Sequence, residues 1–239
     1  MSGPLTGRRA LVTGGTRGIG FAIAYRLRED GANILVTGKH AAAEGLDGLE
    51  YRGVDLADSA ALEAFAEEAR EWAPDVLVNN AGINKISPFA EIAPDDFDRI
   101  QAVNVRAPLL LCRAVVPGMR ERGWGRIVNI ASIWSVVSRP GRGSYSASKF
   151  ALDGLTAALA AEVAADGVLA NCVSPGFVDT ELTRSVLGEE GIAGLVAEVP
   201  AGRLAQPEEI AALVAWLAGP ENTFVSAQNI VIDGGFSRS

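Results

Sequence analysis

Short, continuously apolar segments alternate along the chain with longer stretches whose apolar residues recur every three to four positions. The short segments are Arg9–Thr13, Asn33–Thr37, Glu50–Gly53, Asp75–Asn79, Arg126–Ala131, Leu169–Val173 and Asn229–Ile232. The early ones are apolar throughout instead of at every second position, which is how strands read when both faces are covered. The longer stretches are Gly18–Asp30, Ser59–Trp72, Pro94–Gly118, Ser144–Asp166 and Pro207–Leu217. Strand then helix, repeated to the end, predicts right-handed crossovers. The fold class is therefore α/β: a single domain over residues 1–239 with a doubly wound parallel sheet of about seven strands and helices on both faces. The one long stretch with neither pattern is Ser174–Ala205. A connection of that length in a compact domain is usually a binding element, so residues 174–205 are expected to hold two short helices and to fold over the substrate as a lid.

Composition narrows the chemistry. The 239 residues suit one domain, and a hydrophobic content of 49% fills a core. A net charge of −8 argues against nucleic acid, whose phosphates need clustered Lys and Arg. No run of roughly 18 apolar residues predicts a membrane span, and the first residues lack the charged head and apolar stretch of a secretory signal. A cytoplasmic protein is expected. The two cysteines, Cys112 and Cys172, lie in apolar segments and read as small buried hydrophobes. His40 is the single histidine, so neither a His-rich metal site nor a convincing Ser-His-Asp triad can be assembled, and no metal is expected.

The first apolar run leads through Thr13 into Gly14-Gly15-Thr16-Arg17-Gly18-Ile19-Gly20, and a helix pattern follows at once. Glycines let the backbone turn off a strand and approach a pyrophosphate, and the helix start then offers free N–H groups to the anion. The spacing is T-G-x-x-x-G-x-G; no Gly-Lys-Ser/Thr ends it, which excludes a P-loop. Such a turn after the first strand of a doubly wound, Rossmann-type sheet predicts dinucleotide binding. The second strand ends in Thr37-Gly38-Lys39 with no acid to hold an adenosine ribose. Lys39 and Arg17 together favour the 2′-phosphate of NADP(H), with NAD(H) as the alternative.

Tyr145 and Lys149 are four apart at the start of a helix, so phenol and ammonium share a face. An adjacent ammonium is expected to lower the phenol's pKa and make it a usable acid or base. Ser132 ends a strand at the edge where doubly wound folds bind ligands, and its hydroxyl can steady a carbonyl oxygen. Asn79-Asn80-Ala81-Gly82 ends another strand, and Asn104 is a poor helix former inside a helix.

From Arg8 to Gly235 the chain resembles the short-chain dehydrogenase/reductases. The resemblance rests on the Thr13–Gly20 turn, Val54-Asp55-Leu56, Asn79–Gly82, Asn104, Ser132, Tyr145-Ser146-Ala147-Ser148-Lys149 and Ser174-Pro175-Gly176, in family order. It implies that Tyr145 exchanges a proton with the substrate oxygen, Lys149 assists it and holds the nicotinamide ribose, Ser132 steadies the carbonyl, and Asn104 holds a relay water. It implies cofactor contacts from Gly14, Thr16, Arg17, Gly18, Ile19, Gly20, Lys39, Asp55, Leu56, Asn80, Tyr145, Lys149, Pro175, Gly176, Val178 and Thr180, and a homotetramer. Val199–Leu204 is most similar to bacterial β-ketoacyl-carrier-protein reductases, which implies reduction of a 3-oxoacyl thioester. Gly82–Phe89 is similar to sugar-acid dehydrogenases of the same family, which leaves an NAD(P)-dependent sugar, sugar-acid or polyol dehydrogenase as the alternative. A non-catalytic redox sensor is the remote third reading, against which the complete Asn104, Ser132, Tyr145 and Lys149 set speaks. Trp134, Arg139 and Arg142 lie between Ser132 and Tyr145, on a loop expected to border a small-molecule ketone or alcohol substrate.

Overall fold

Successive side chains of a strand point to opposite sides, and here both sides are apolar. Ala10, Val12, Ile34, Val36, Val76, Val78 and Val128 pack into one buried cluster, while Leu11, Leu35, Leu77 and Ile127 pack into another. The computed structural model describes residues 3–239, without the side chains of Leu182, Ser185, Val186 and Leu187. Its strands are β1 (Arg9–Val12), β2 (Asn33–Gly38), β3 (Glu50–Gly53), β4 (Val76–Asn79), β5 (Gly125–Ile130), β6 (Val168–Pro175) and β7 (Asn229–Ile232). They form one parallel sheet in the order β3-β2-β1-β4-β5-β6-β7. Helices α1 (Gly18–Glu29) and α7 (Pro207–Ala218) cover the first face. Helices α2 (Ser59–Trp72), α4 (Ala107–Glu121) and α5 (Gly143–Val163) cover the second. The strand order reverses between β1 and β4, and this switch point opens a crevice at their carboxyl ends.

Two elements depart from the sequence reading. The stretch read as one helix, Pro94–Gly118, is α3 (Pro94–Gln101), a π-turn over Ala102–Arg106, and α4 running on to Glu121. Pro108 explains the break: it has no N–H to give to the carbonyl of Asn104 four residues earlier, so the α-register cannot pass through that point. The combined 28 residues, Pro94–Glu121, are long and apolar enough to cross a membrane. Their buried side chains, Leu111, Val115 and Met119 among them, pack into the second core cluster.

The stretch read as mostly irregular, Ser174–Ala205, contains α6 (Glu181–Glu198), kinked where Gly188 takes φ +62°. Two helical arms across a kink agree with the expected pair of helices, although they are more extensive. The base of this excursion is pinned: Asp179 N–H donates to the Ala205 carbonyl (2.8 Å) and Ala205 N–H to that of Phe177 (2.9 Å).

Candidate active site

The turn after β1 is shaped by what surrounds it. Gly14 sits at φ +64° and Gly18 at φ +55°, a region that disfavours side chains. A Cβ on Gly20 would stand 2.3 Å from the Gly14 carbonyl oxygen, so the helix can begin this close to the turn only with glycine there. Arg17 precedes α1 in extended conformation, and no side chain caps the helix start, which leaves its N–H groups to an outside anion. Thr16 and Ile19 complete the turn. The Asn80 amide donates to the carbonyls of Thr13 (2.9 Å) and Gly14 (3.1 Å), bracing the turn from beneath. Thr37, missed in the sequence, braces it from the other side by accepting from Gly14 N–H (3.2 Å). A hydroxyl ending the apolar run of β2 was the available signal. This glycine cradle, with its free N–H groups, fits a pyrophosphate.

Lys39 follows β2 and lies beside Asp55, with Nζ 3.3 Å from the carboxylate; Arg99 approaches the same group at 3.6 Å. Asp55 is held below the usual carboxylate range, first by the N–H of Ala57 and then by these cations. Lys39 is thus paired and exposed, a link worth about 0–1 kcal/mol that a phosphate can replace. Arg17 is exposed and has no carboxylate partner among the described residues. Leu56 is buried under Asp55. Across the crevice, Pro175 ends β6, Gly176 follows, Val178 is buried, and the Thr180 hydroxyl caps α6 by accepting from Thr183 N–H (3.2 Å). The Thr180 methyl would be 3.5 Å from a Cβ at Gly18, so the two sides of the cradle face each other.

Beside the cradle lies the proposed chemistry. Gly14 approaches Ala81, and a Cβ at the next residue, Gly82, would stand 3.5 Å from both Asn104 Oδ1 and Lys149 Nζ. Those polar atoms therefore border one small space at the crevice floor. Asn104 accepts from Ile83 N–H and donates to the Ile83 carbonyl (both 2.9 Å) and to Ser148 Oγ (3.0 Å). Its amide is fixed, with one lone pair of Oδ1 still open to that space. Lys149 Nζ donates to the Ile130 carbonyl (2.7 Å) and lies 5.5 Å from the centre of the Tyr145 ring. The Ser132 hydroxyl reaches the Tyr145 phenol.

The electrostatics differ from the sequence expectation of a phenol acidified by its lysine. Burial raises the Tyr145 pKa above its ordinary value, and the Ser132 hydrogen bond and Arg142 charge only partly offset this. Burial also takes Lys149 down, to about 8. Each group is desolvated, so each favours its neutral form. For a lysine depressed from 10.5 to about 8, the destabilisation is full below pH 8 and fades as pH rises through the unfolded value. Lys149→Met is therefore expected to raise stability at pH 7 by about 1–3 kcal/mol, allowing for the lost hydrogen bond. The gain over the unaltered chain should shrink between pH 8 and 10. Urea unfolding across that range checks it; a gain that grows with pH contradicts the assignment.

Below the site a buried polar chain joins three elements. Asn79 donates to Asn129 (2.8 Å), Asn129 to Thr156 (2.7 Å), and Thr156 to the Leu152 carbonyl (2.7 Å). Cys172 also reaches Thr156 (3.1 Å), and both free thiols are pushed up to about 12 by burial. The cysteines are packing residues. Among the described residues no cluster of His, Cys, Asp and Glu could hold a metal.

A doubly wound parallel sheet with a glycine cradle at its switch point defines a dinucleotide-binding protein. A profile described as enoyl-(acyl carrier protein) reductase matches residues 14–237. The chain is 37% identical to the 3-oxoacyl-[acyl-carrier-protein] reductase of Vibrio cholerae, covering 97% of this chain and 98% of that one. It is also 37% identical to the gluconate 5-dehydrogenase of Gluconobacter oxydans, covering 98% and 96%. A solved gluconate 5-dehydrogenase from Burkholderia cenocepacia, in complex with NADP and tartrate, superposes with a TM-score of 0.91 at 34% identity, over 98% of this chain and 97% of that one. The chain belongs to the short-chain dehydrogenase/reductase family.

Proposed function

We propose that this chain is an oxidoreductase that interconverts a ketone and a secondary alcohol with NADP(H). The observation that carries the reading is the convergence of Tyr145, Lys149 and Ser132 beside the glycine cradle. NADP(H), when bound, would provide the hydride chemistry at the carbonyl or carbinol carbon. Ser132 donates a hydrogen bond to the substrate oxygen and so opposes the cost of developing negative charge. Tyr145, kept protonated by its raised pKa, gives its proton to that oxygen in the reductive direction. Lys149, near 8, stays charged enough to steady the phenolate yet can pass a proton on. The space beside Gly82, bordered by Lys149 Nζ and Asn104 Oδ1, suits a water that links this pair to solvent. Gly14, Thr16, Arg17, Gly18, Ile19 and Gly20 hold the pyrophosphate end, with Asn80 bracing them. Asp55 and Leu56 would meet the adenine, while Pro175, Gly176, Val178 and Thr180 would line the nicotinamide side.

Lys39 and Arg17 are the cations we assign to the 2′-phosphate. Lys39→Asp is expected to weaken NADPH binding by roughly 10–100-fold and to turn the preference towards NADH, since a charge-assisted contact is worth about 1.5–3 kcal/mol. Dissociation constants from nicotinamide fluorescence test it, and an unchanged ratio removes Lys39 from the cofactor site.

For the substrate, a 3-oxoacyl thioester is supported by the names of the reductase relatives. A sugar acid or another keto acid is the second reading, supported by the gluconate dehydrogenases and by the unpaired Arg142. Residues 174–205 act as the lid, tied by an Arg139–Glu198 ion pair to the loop before Tyr145. A cytoplasmic homotetramer is the assembly we infer; Leu109 on α4 and Phe150 on α5 are exposed apolar side chains suited to a subunit contact. The deciding experiment is a screen of ketoacyl thioesters, keto sugar acids and cyclic ketones with NADPH and NADH, followed at the nicotinamide absorbance. Absence of turnover with every class would overturn the enzymatic reading.

A further inference from the structure

Arginines in this structure are satisfied in two ways. Many pair with carboxylates, as Arg139 does with Glu198 (3.3 Å) and Arg203 with Glu209. The buried Arg126 instead donates to the carbonyls of Gly125, Gly167 and Asn222, at 2.7, 3.1 and 2.8 Å. Arg142 follows neither pattern. It is half-buried directly before α5, three residues from Tyr145, and among the described residues its guanidinium meets no carboxylate, carbonyl or hydroxyl. Its one partner is the Trp134 ring, whose centre lies 5.5 Å away. Arg139 sits over the same ring at 5.2 Å, so two like charges share one indole. Glu198 neutralises Arg139, which leaves Arg142 without a carboxylate on the loop beside Tyr145.

A guanidinium carries five N–H donors, and on half-buried Arg142 no protein acceptor among the described residues matches them, which leaves them to water or to a ligand. Burial and the Arg139 charge both act against its protonated form, and the Tyr145 side chain lies within electrostatic reach of it. Its donors are therefore open to an anion that enters from outside. The Trp134 ring attracts the group by a cation–π contact at 5.5 Å, which uses none of its N–H donors and leaves them free for a two-oxygen acceptor.

We infer that Arg142 receives the carboxylate of the substrate, so that this chain selects small keto or hydroxy acids, with the reacting oxygen on Tyr145 and the carboxylate on Arg142. The inference rests on the oxidoreductase reading and chooses between its two substrate classes. A neutral ketone or a thioester fills the same crevice but leaves the guanidinium unmatched.

The test compares acids with their uncharged esters: acetoacetate and levulinate against methyl acetoacetate and methyl levulinate, with NADPH. The unaltered chain should prefer the acids in kcat/KM. In Arg142→Ala the acid-to-ester ratio of kcat/KM should fall roughly 10–100-fold, mainly through KM, as expected for loss of a charge-assisted contact. Arg142→Lys should recover part of the ratio, and added guanidinium ion should recover part of it in Arg142→Ala. Melting temperature and NADPH affinity, measured on each variant, separate this from misfolding. Equal use of acids and esters by the unaltered chain, or a ratio unmoved by Arg142→Ala, overturns the anion site and leaves the oxidoreductase reading standing. No turnover of any acid, ester or other ketone, with NADPH still bound, overturns both.

Discussion

Tyr145→Phe is expected to lower kcat by roughly 10²–10⁴-fold while leaving NADPH affinity and thermal stability nearly unchanged. The substitution removes one oxygen and retains the ring against which Lys149 packs at 5.5 Å. What disappears is the proton donor itself. Ser132 still offers a hydrogen bond to the substrate oxygen, and that is why a residual rate should persist. The raised pKa sharpens the expectation for direction: a phenol that holds its proton is a good donor for ketone reduction and needs help to act as base in alcohol oxidation. Steady-state kinetics in both directions provide the measurement. A variant retaining more than about a tenth of the parent rate would place the proton transfer elsewhere.

The second large effect belongs to Gly20→Ala, which should abolish measurable dinucleotide binding and destabilise the fold by about 1–3 kcal/mol or more. The new Cβ would stand 2.3 Å from both the Gly14 carbonyl oxygen and Asn80 Nδ2. Neither neighbour can yield cheaply. The first is backbone, and the second is the amide that braces the turn through Thr13 and Gly14. The cradle must therefore open, moving the N–H groups that would grip the pyrophosphate. Gly154→Ala in the exposed middle of α5 is the matching control, since no atom lies within 4 Å of its Cβ position. There the exchange should stabilise by up to about 1 kcal/mol. Calorimetry and NADPH titration on the two variants should move in opposite directions, and parallel behaviour would refute the steric argument.

Much of this was readable from the chain. The central strands announce themselves because they are apolar on both sides, and residues such as Val36 and Leu35 separate cleanly into the two core clusters. The cradle was legible as a run of glycines, and the phenol–ammonium pair as a four-residue spacing. Three things were hidden. In α6, Gly188, Gly191 and Gly194 dilute the helical signal, so two helical arms joined at the Gly188 kink read as mainly irregular chain. The brace that Asn80 supplies to Thr13 and Gly14 was not visible, because no local pattern tells an outward amide from one turned onto backbone carbonyls. The behaviour of the pair at Tyr145 and Lys149 depended on burial, which brings together β5, α5 and the turn after β4; sequence spacing contains the pair but not its desolvation.

The break at Pro108 sets a constraint on anyone redesigning this scaffold. One surplus residue is wound into the helix between Ala102 and Arg106, and every side chain after it is phased accordingly. Leu111, Val115 and Met119 meet the sheet only because that surplus is counted. Exchanging the proline for a better helix former would invite the coil to regularise, rotating those residues off their seats and pulling Asn104 away from Ile83. The irregular turn thus sets the angular clock by which one helix serves two masters, a hydrocarbon seam at its far end and a polar relay at its near one.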